Sequence, residues 1–248
     1  ESVYYRGENG ITAIEERAFA AGGGSATSAI SALRRFTSIT ERDKETPADE
    51  IKLPNTVTLG KQAFYGAVGV KTVYLGGKKA YIGVSVFEGA RGIKNITYDV
   101  ENGGDVSSTD SSPFMNMQSI GDVAITIGAN VKRVPARMFY NVGSVKKIAV
   151  PSNVASIGAY AFAHMNALSE IDFEINGDDY EMSSTANPFY GSGAESGMTV
   201  RFGNNVTKIK ENAFSKTERL TRFVIAADAV KPLVIGASAF AETGVTTV

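Results

Sequence analysis

Phenylalanine recurs along this chain at a nearly constant interval. From Phe64 onward the successive steps are 23, 27, 25, 23, 27, 25 and 26 residues. A fixed period between roughly 20 and 30 residues is typical of a solenoid, in which stacked coils bury one continuous core. The period therefore predicts a repeat architecture and favours a binding or structural role over catalysis. We call the series the phenylalanine ladder; its members are Phe19, Phe64, Phe87, Phe114, Phe139, Phe162, Phe189, Phe214 and Phe240.

Each ladder residue closes a short apolar motif. In the copy that ends at Phe162, Val154 lies eight residues earlier and Ile157 lies five residues earlier. Ala161 precedes the phenylalanine directly, and this small side chain lets one coil pack close to the next. Because burying a phenylalanine stabilises a fold by roughly 1.5–3 kcal/mol, a stack of such rings can hold a solenoid together.

A second pattern, apolar-x-x-apolar-x-apolar, begins about six residues after most ladder residues. Its last two apolar positions are two residues apart, which is the period of a β-strand. We therefore expect one short strand in each repeat, paired in parallel with the strands of neighbouring repeats. The predicted strand cores are Val70/Val73/Leu75, Ile93/Ile96/Tyr98, Val123/Ile125/Ile127, Val145/Ile148/Val150, Leu168/Ile171/Phe173, Met198/Val200/Phe202 and Leu220/Phe223/Ile225.

A longer period of 75 residues indicates that a triplet of repeats was copied as a unit. Phe64, Phe139 and Phe214 lie 75 residues apart, and the loop that ends at Phe114 aligns without a gap on the loop that ends at Phe189. We expect one domain over residues 1–248, with irregular repeats in 1–63 and regular repeats in 64–248. Between Phe19 and Phe64 we expect about two repeats with one ladder residue missing. An inserted glycine loop at 21–25 and a solvated charged bulge at 41–45 are expected there.

Taken together, the motif that ends at each ladder residue and the strand pattern that follows it resemble the BspA-type leucine-rich repeat. The resemblance covers residues 11–248 and implies a right-handed coil with a parallel β-sheet of short strands on one face and irregular or short helical segments elsewhere. Members of this family are commonly secreted or located on the surfaces of oral and gut bacteria, and some bind host proteins. The family has no catalytic motif to transfer to this chain. The matching positions are Val145, Ile148, Val150, Pro151, Val154, Ile157, Gly158, Ala161 and Phe162.

Composition excludes several functional classes. The 25 basic and 26 acidic residues give a formal net charge of −1, which argues against a broad nucleic-acid-binding surface. Cysteine is absent, so the chain has no disulfide framework, zinc–cysteine cluster or thiol nucleophile. No apolar run reaches the roughly 18–20 residues that span a bilayer. The sequence opens with Glu1 and no signal segment, as expected of a processed chain.

Two candidate sites have simpler explanations as turns. His164, the one histidine, lacks a serine or aspartate nearby in a recognisable catalytic motif, so we interpret it as part of a turn. Two acidic loops raise the possibility of calcium, yet Gly103 and Asp110 occupy positions where calcium loops place a ligand and a bidentate glutamate. A solvated turn is the favoured interpretation. The loop acids are Asp99, Glu101, Asp105 and Asp110, and in the second copy Glu174, Asp178, Asp179 and Glu181.

The outward positions of the predicted strands are the best candidates for partner binding. Basic residues outnumber acidic ones there, so the face would suit a partner with an anionic surface; the alternative is a mixed, solvated sheet face. The candidate residues are Lys71, Tyr74, Lys94, Thr97, Lys146, Lys147, Glu170, Asp172, Arg201 and Arg222.

These observations lead to one functional hypothesis and one alternative. The hypothesis is an adhesin-like bacterial module, secreted or at the cell surface, that binds a host extracellular-matrix protein or a glycan. An extended solenoid surface suits such partners better than it suits a small molecule. The alternative is a structural spacer or self-associating element without a soluble ligand. In both cases we expect no enzyme activity, no cofactor, no metal and no nucleic-acid partner.

Overall fold

The computed structural model of the chain describes residues 2–5, 11, 13–20, 35–38, 49–55, 58–117, 119–184, 186–227 and 231–246. The chain divides into two compact units, Glu1–Gly128 and Ala129–Val248. Each unit is a parallel β-solenoid, which confirms the predicted fold class. The segments that connect the described strands are turns and irregular chain, and none of the described residues is helical. Within these ranges, the chain therefore forms no helix with the length and apolar character needed to cross a bilayer.

The first unit carries two parallel series of strands. Its strands are β1 (Ser2–Tyr5), β2 (Ala13–Ile14), β3 (Arg35–Ser38), β4 (Glu50–Leu53), β5 (Thr58–Leu59), β6 (Thr72–Ile82), β7 (Asn95–Gly103) and β8 (Ala124–Ile127). One series runs in the order β1-β3-β4-β6-β7-β8. The other joins β2, β5 and the last two residues of β6. The long strand β6 thus belongs to both series.

The second unit repeats this arrangement. Its strands are β9 (Arg133–Val134), β10 (Lys147–Val150), β11 (Ser156–Ile157), β12 (Glu170–Phe173), β13 (Glu181–Met182), β14 (Met198–Phe202), β15 (Lys208–Ile209), β16 (Leu220–Ile225) and β17 (Val234–Ile235). The longer strands pair in the order β10-β12-β14-β16. The two-residue strands pair as β9-β11-β13 and as β15-β17.

Strand register and burial confirm the predicted inward and outward positions, except that Ile225 of β16, predicted to face inward, is 39% exposed. Val73 pairs with Ile96, which pairs with Ile125, and all three side chains are buried. In the second unit, Ile171 lies between Ile148 and Val200 in the same way. Because alternate residues of a strand face opposite sides of the sheet, burial of these residues leaves their sequence neighbours on the outer face.

The phenylalanine ladder is a continuous stack of rings within each unit. In the first unit, Phe64 stacks on Phe87 at 5.6 Å between ring centroids, and Phe87 stacks on Phe114 at 5.1 Å. In the second unit, the stacked centroid distances from Phe139 to Phe240 lie between 5.2 and 5.7 Å, and the ring planes are within 15° of parallel. The small alanines and the near-constant period thus place one ring at the same height in each coil.

The start of the chain departs from expectation, because no ladder position is empty. Phe19 stacks directly on Phe64, with centroids 5.4 Å apart and ring planes 7° apart. The strand β3 is inserted between β1 and β4, and its Phe36 packs edge-on against both ladder rings. The residues between Phe19 and Phe64 therefore add a strand to the sheet without adding a ring to the ladder. The expected glycine loop at 21–25 and the charged bulge at 41–45 lie outside the described residues.

Left-handed backbone flanks the ladder residues, because the chain must turn sharply on both sides of each ring. Positive φ angles occur two residues before the ring at Arg17, Gln62, Ser85, Arg137, Tyr160, Asn212 and Ser238. They occur two residues after it at Gly66, Gly89, Asn116, Asn141, His164, Gly191, Lys216 and Glu242. Ser112 and Asn187 are exceptions at the first of these positions. Each precedes a proline, which disfavours helical backbone in the residue before it.

The two repeats with a proline directly before the ladder phenylalanine bury a polar residue in place of that left-handed turn. Asn187 is buried; its Nδ2 donates to the carbonyl of Ser215 and, at 3.0 Å, to Thr217 Oγ1. Its Oδ1 accepts the backbone N–H of Phe189 at 2.7 Å. Ser112 is also buried, and its carbonyl accepts from the backbone N–H of Ser85 at 2.8 Å. These bonds satisfy polar groups that would otherwise be costly to bury.

Candidate functional site

The second unit displays its predicted binding residues in two registered rows on one sheet. Parallel strands lie about 4.8 Å apart, so side chains at paired positions are neighbours. The first row is Lys147, Glu170, Thr199 and Arg222, and the second is Ala149, Asp172, Arg201 and Val224. Each row thus contains one acidic residue and at least one basic residue.

Ion pairs connect the two rows. The Lys147 Nζ atom contacts Glu170 Oε1 and, at 2.7 Å, Asp172 Oδ2. On the other side of Glu170, Arg201 Nε lies 3.6 Å from Oε2. Hydrogen bonds to Asp172 and Glu170 raise the pKa of Lys147, and the hydrogen bond from Lys147 lowers the pKa of Glu170. The four side chains form a network in which two positive charges balance two negative ones.

Pairing within this network changes the expected electrostatics of the face. The sequence predicts a surplus of positive charge on this face, but Lys147 and Arg201 form ion pairs with neighbouring carboxylates. Arg222 lies on β16 and is exposed, and it forms no ion pair within the described part of the chain. Its guanidinium is therefore the cation on this sheet most available to an incoming anionic group. Lys146 lies just before β10, where its carbonyl accepts from Ser169 Oγ at 3.0 Å.

The first unit carries a separate and less charged candidate face. Tyr74 on β6 pairs with Thr97 on β7, and the Tyr74 hydroxyl donates to Asp99 Oδ2 at 3.1 Å. Burial and, to a lesser degree, this hydrogen bond raise the pKa of Tyr74. Lys71 lies just before β6, and its Nζ forms an ion pair with buried Asp49 at 2.8 Å. Lys94 lies just before β7, one repeat further along.

The acidic loops contain close contacts between carboxylates and glycine backbone. A Cβ atom at Gly128 would lie 2.1 Å from Asp99 Oδ1, and one at Gly203 would lie 1.9 Å from Glu174 Oε2. The two pairs are 75 residues apart, so the copied triplet preserves the contact. Among the described residues, no group of three or more histidine, aspartate or glutamate side chains could hold a metal ion.

The surroundings of His164 are the feature that sequence reasoning missed. The sequence identifies His164 as a turn residue, and its φ of 58° agrees. Its ring, however, lies edge-to-face between Tyr140 and Tyr190, at 5.3 and 5.5 Å between centroids. Both tyrosines directly follow a ladder phenylalanine, and this recurring Phe-Tyr pair is a sequence signal that could have indicated the cluster.

The match to a repeat-family profile agrees with this architecture. The profile of the BspA type leucine rich repeat region matches six copies, over residues 6–119, 44–169 and 132–248. A leucine-rich repeat protein from Bacteroides ovatus ATCC 8483 is 19% identical with a TM-score of 0.52, over 93% of this chain and 56% of that chain. A leucine rich cell surface protein from Faecalibacterium prausnitzii A2-165 is 17% identical with a TM-score of 0.38, over 92% of this chain and 62% of that chain. This chain thus spans less than two thirds of either protein. No curated protein matches it.

Proposed function

Because the chain belongs to the BspA-type leucine-rich-repeat family, we propose that it is a non-catalytic binding module, secreted or at the bacterial cell surface. Its partner is a host extracellular-matrix protein or a glycan, bound in an adhesin-like manner. The family supports a surface repeat module, and its repeat brings no catalytic motif. Solenoids present extended surfaces that suit macromolecules.

The observation that carries the proposal is the registered charged face of β10, β12, β14 and β16. Contacts with Glu170 hold Lys147 and Arg201 in place before a partner arrives. A face whose side chains are already ordered loses less conformational entropy on binding than one with free side chains. Arg222 lies in the same row as Lys147 and Glu170 and supplies an unpaired guanidinium for a carboxylate or sulfate group.

The test is binding of the purified chain to an array of extracellular-matrix proteins and glycans, at low and physiological salt. We expect a saturable hit whose affinity falls about tenfold in Arg222→Gln, with a weaker salt dependence because one charged contact is lost. Lys132→Gln is the matched control, since it removes an exposed cation just before β9. If Arg222→Gln and Arg201→Gln leave every hit unchanged, the β10–β16 face is not the binding surface.

The alternative, self-association as a structural element, has its own supporting observation. The strand β16 pairs with β14 on one side, and no described strand pairs with its other side. On β16, Ile225 is 39% exposed, and on β17, which among the described strands pairs only with β15, Val234 and Ile235 are 56% and 49% exposed. Exposed strand edges with apolar side chains favour pairing with another chain. Sedimentation over a wide concentration range tests this; we expect a dimer that Ile235→Lys weakens, and a monomer at all concentrations would exclude it.

A further inference from the structure

The second unit contains a half-open cavity of about 420 Å³ beside its phenylalanine ladder. Its volume falls in the range of roughly 300–1,000 Å³ that is usual for small-ligand sites. The turns that follow successive ladder residues build its wall, with His164, Tyr190, Lys216 and Glu242 among the lining side chains. Side chains from successive coils thus line one cavity, although they are far apart in sequence.

Aromatic rings fix one part of this wall. His164 is held edge-to-face by Tyr140 and Tyr190, and Tyr190 packs in the same way against Tyr160 at 5.8 Å. Gly191 is needed beside them, because a Cβ atom there would lie 2.9 Å from two atoms of the His164 ring. Tyr190 is nevertheless 37% exposed, so a ligand can reach part of its ring.

Charged side chains occupy the rest of the wall and remain available to a ligand. Lys216, Glu218 and Glu242 form no side-chain hydrogen bond or ion pair within the described ranges, although they line one cavity. Arg219 makes one long hydrogen bond to the carbonyl of Gly193, at 3.4 Å, and keeps its other donors free of such a bond. Two cations and two carboxylates therefore supply both donors and acceptors, with no net charge between them.

We propose that this cavity binds a neutral saccharide. A sugar ring presents C–H groups on its faces and hydroxyl groups around its rim. The exposed part of the Tyr190 ring can pack against the C–H groups of the sugar. The balanced charged side chains can form hydrogen bonds with its hydroxyl groups, which both donate and accept. Lys216 and Arg219 would attract a phosphate or sulfate while Glu218 and Glu242 would repel it, so the four groups give an anion no net attraction. An apolar ligand would leave the same four charged groups desolvated without partners. The site is separate from the β10–β16 face and does not depend on partner binding there.

The chain provides its own reporter for this site, because His164 is its one histidine. The imidazole proton resonances of the unlabelled full chain are therefore assigned without ambiguity. We would titrate the chain with glucose-, galactose-, mannose- and N-acetylglucosamine-based disaccharides, and with a neutral-capped glycine peptide and a free dipeptide for comparison. The expected result is a saturable shift of the His164 resonance with at least one disaccharide.

Two variants test whether the shift comes from the cavity. Glu242→Gln and Tyr190→Ala should each weaken saccharide affinity about tenfold, measured by calorimetry because Tyr190→Ala also changes the surroundings of the imidazole. Circular dichroism checks that both variants fold, and Lys132→Gln, which removes an exposed cation that does not line the cavity, should leave saccharide affinity unchanged. The proposal is overturned if no disaccharide shifts the resonance at millimolar concentration, if only the dipeptide does, or if Glu242→Gln binds as the wild type does. Because the array also contains glycans, a glycan hit is assigned to the cavity only if Glu242→Gln weakens it, and to the β10–β16 face only if Arg222→Gln weakens it.

Discussion

At the scale of single residues, backbone conformation constrains this chain most strongly on either side of each ladder phenylalanine. Most residues there have φ between 53° and 73°, and several carry side chains that are poorly suited to it. A non-glycine residue in left-handed backbone costs roughly 1–2 kcal/mol. At two of these positions, the side chains of His164 and Lys216 line the cavity.

Ser238 provides a test of this cost because its exposed side chain forms no hydrogen bond in the described chain. Its φ is 53°. Ser238→Gly should stabilise the protein by about 0.5–1 kcal/mol, because relief of backbone strain exceeds the entropy that glycine adds to the unfolded chain. The measurement is the free energy of unfolding in denaturant.

The adjacent exposed Ala237 is the matched control, since its φ is not positive. Ala237→Gly adds the same flexibility to the unfolded chain but relieves no strain, so it should destabilise by about 0.5–1 kcal/mol. If both glycine variants lose stability equally, the left-handed position is not strained.

Tyr180 predicts how stability depends on pH in the alkaline range. Burial raises its pKa from 10.0 to about 12, and its hydroxyl donates to the carbonyl of Lys208 at 2.8 Å. A raised pKa means that the folded state favours the protonated phenol, so its contribution is complete below pH 10 and is lost as the pH rises through 12. The expected loss is about 2–3 kcal/mol.

Comparison of variants isolates this contribution from that of the other tyrosines. Denaturant unfolding at a series of pH values from about 9 to 12 should show a steeper loss of stability in the wild type than in Tyr180→Phe. Tyr81→Phe, at a side chain that is 60% exposed, should retain the steep wild-type dependence. Parallel curves for wild type and Tyr180→Phe would contradict the assignment.

At the scale of elements, the ladder stabilises the solenoid through contacts between successive coils. Phe162 is fully buried and stacks between Phe139 and Phe189 at 5.6 and 5.3 Å. Phe162→Ala should therefore destabilise by about 3–5 kcal/mol, because it removes contacts on both faces and leaves a cavity.

Phe240 gives the comparison within the same ladder. It is only partly buried in the last described coil, where it stacks on Phe214 and Phe223. Phe240→Ala should cost about 1–2 kcal/mol, since less apolar area leaves water when it folds. Equal losses for the two variants, measured by denaturant unfolding, would show that position in the stack is not what decides stability.

At the scale of the whole molecule, the domain organisation is still a prediction. The boundary between the two compact units follows Gly128. This point lies inside a repeat, after the strand β8 and before Phe139. Because a coil divided there leaves its strand and its ring in different units, we expect one domain over residues 1–248 that unfolds cooperatively.

Scanning calorimetry checks that expectation. The wild type should show one transition whose calorimetric and van't Hoff enthalpies agree. Phe162→Ala should move the whole transition to lower temperature rather than split it. Two resolved transitions, of which Phe162→Ala shifts only one, would show that units 1–128 and 129–248 unfold independently.

The sequence by itself determined the solenoid, the parallel strands and which strand residues face inward. These properties follow from periodic burial, and a period is visible in the spacing of Phe64, Phe87 and later ladder residues. It also identified the outward residues of β10, β12, β14 and β16, because strand alternation is local.

Only the tertiary structure decided how residues of different coils combine. Direct stacking of Phe19 on Phe64, the balanced charges around Glu170 and the cavity beside His164 each depend on atoms brought together from separate repeats. The spacing of the repeats specifies that coils stack. Whether a lysine forms an ion pair with an acid, or a turn leaves a cavity, depends on the length of the side chains and on the backbone dihedral angles in each coil. The repeat pattern does not encode these.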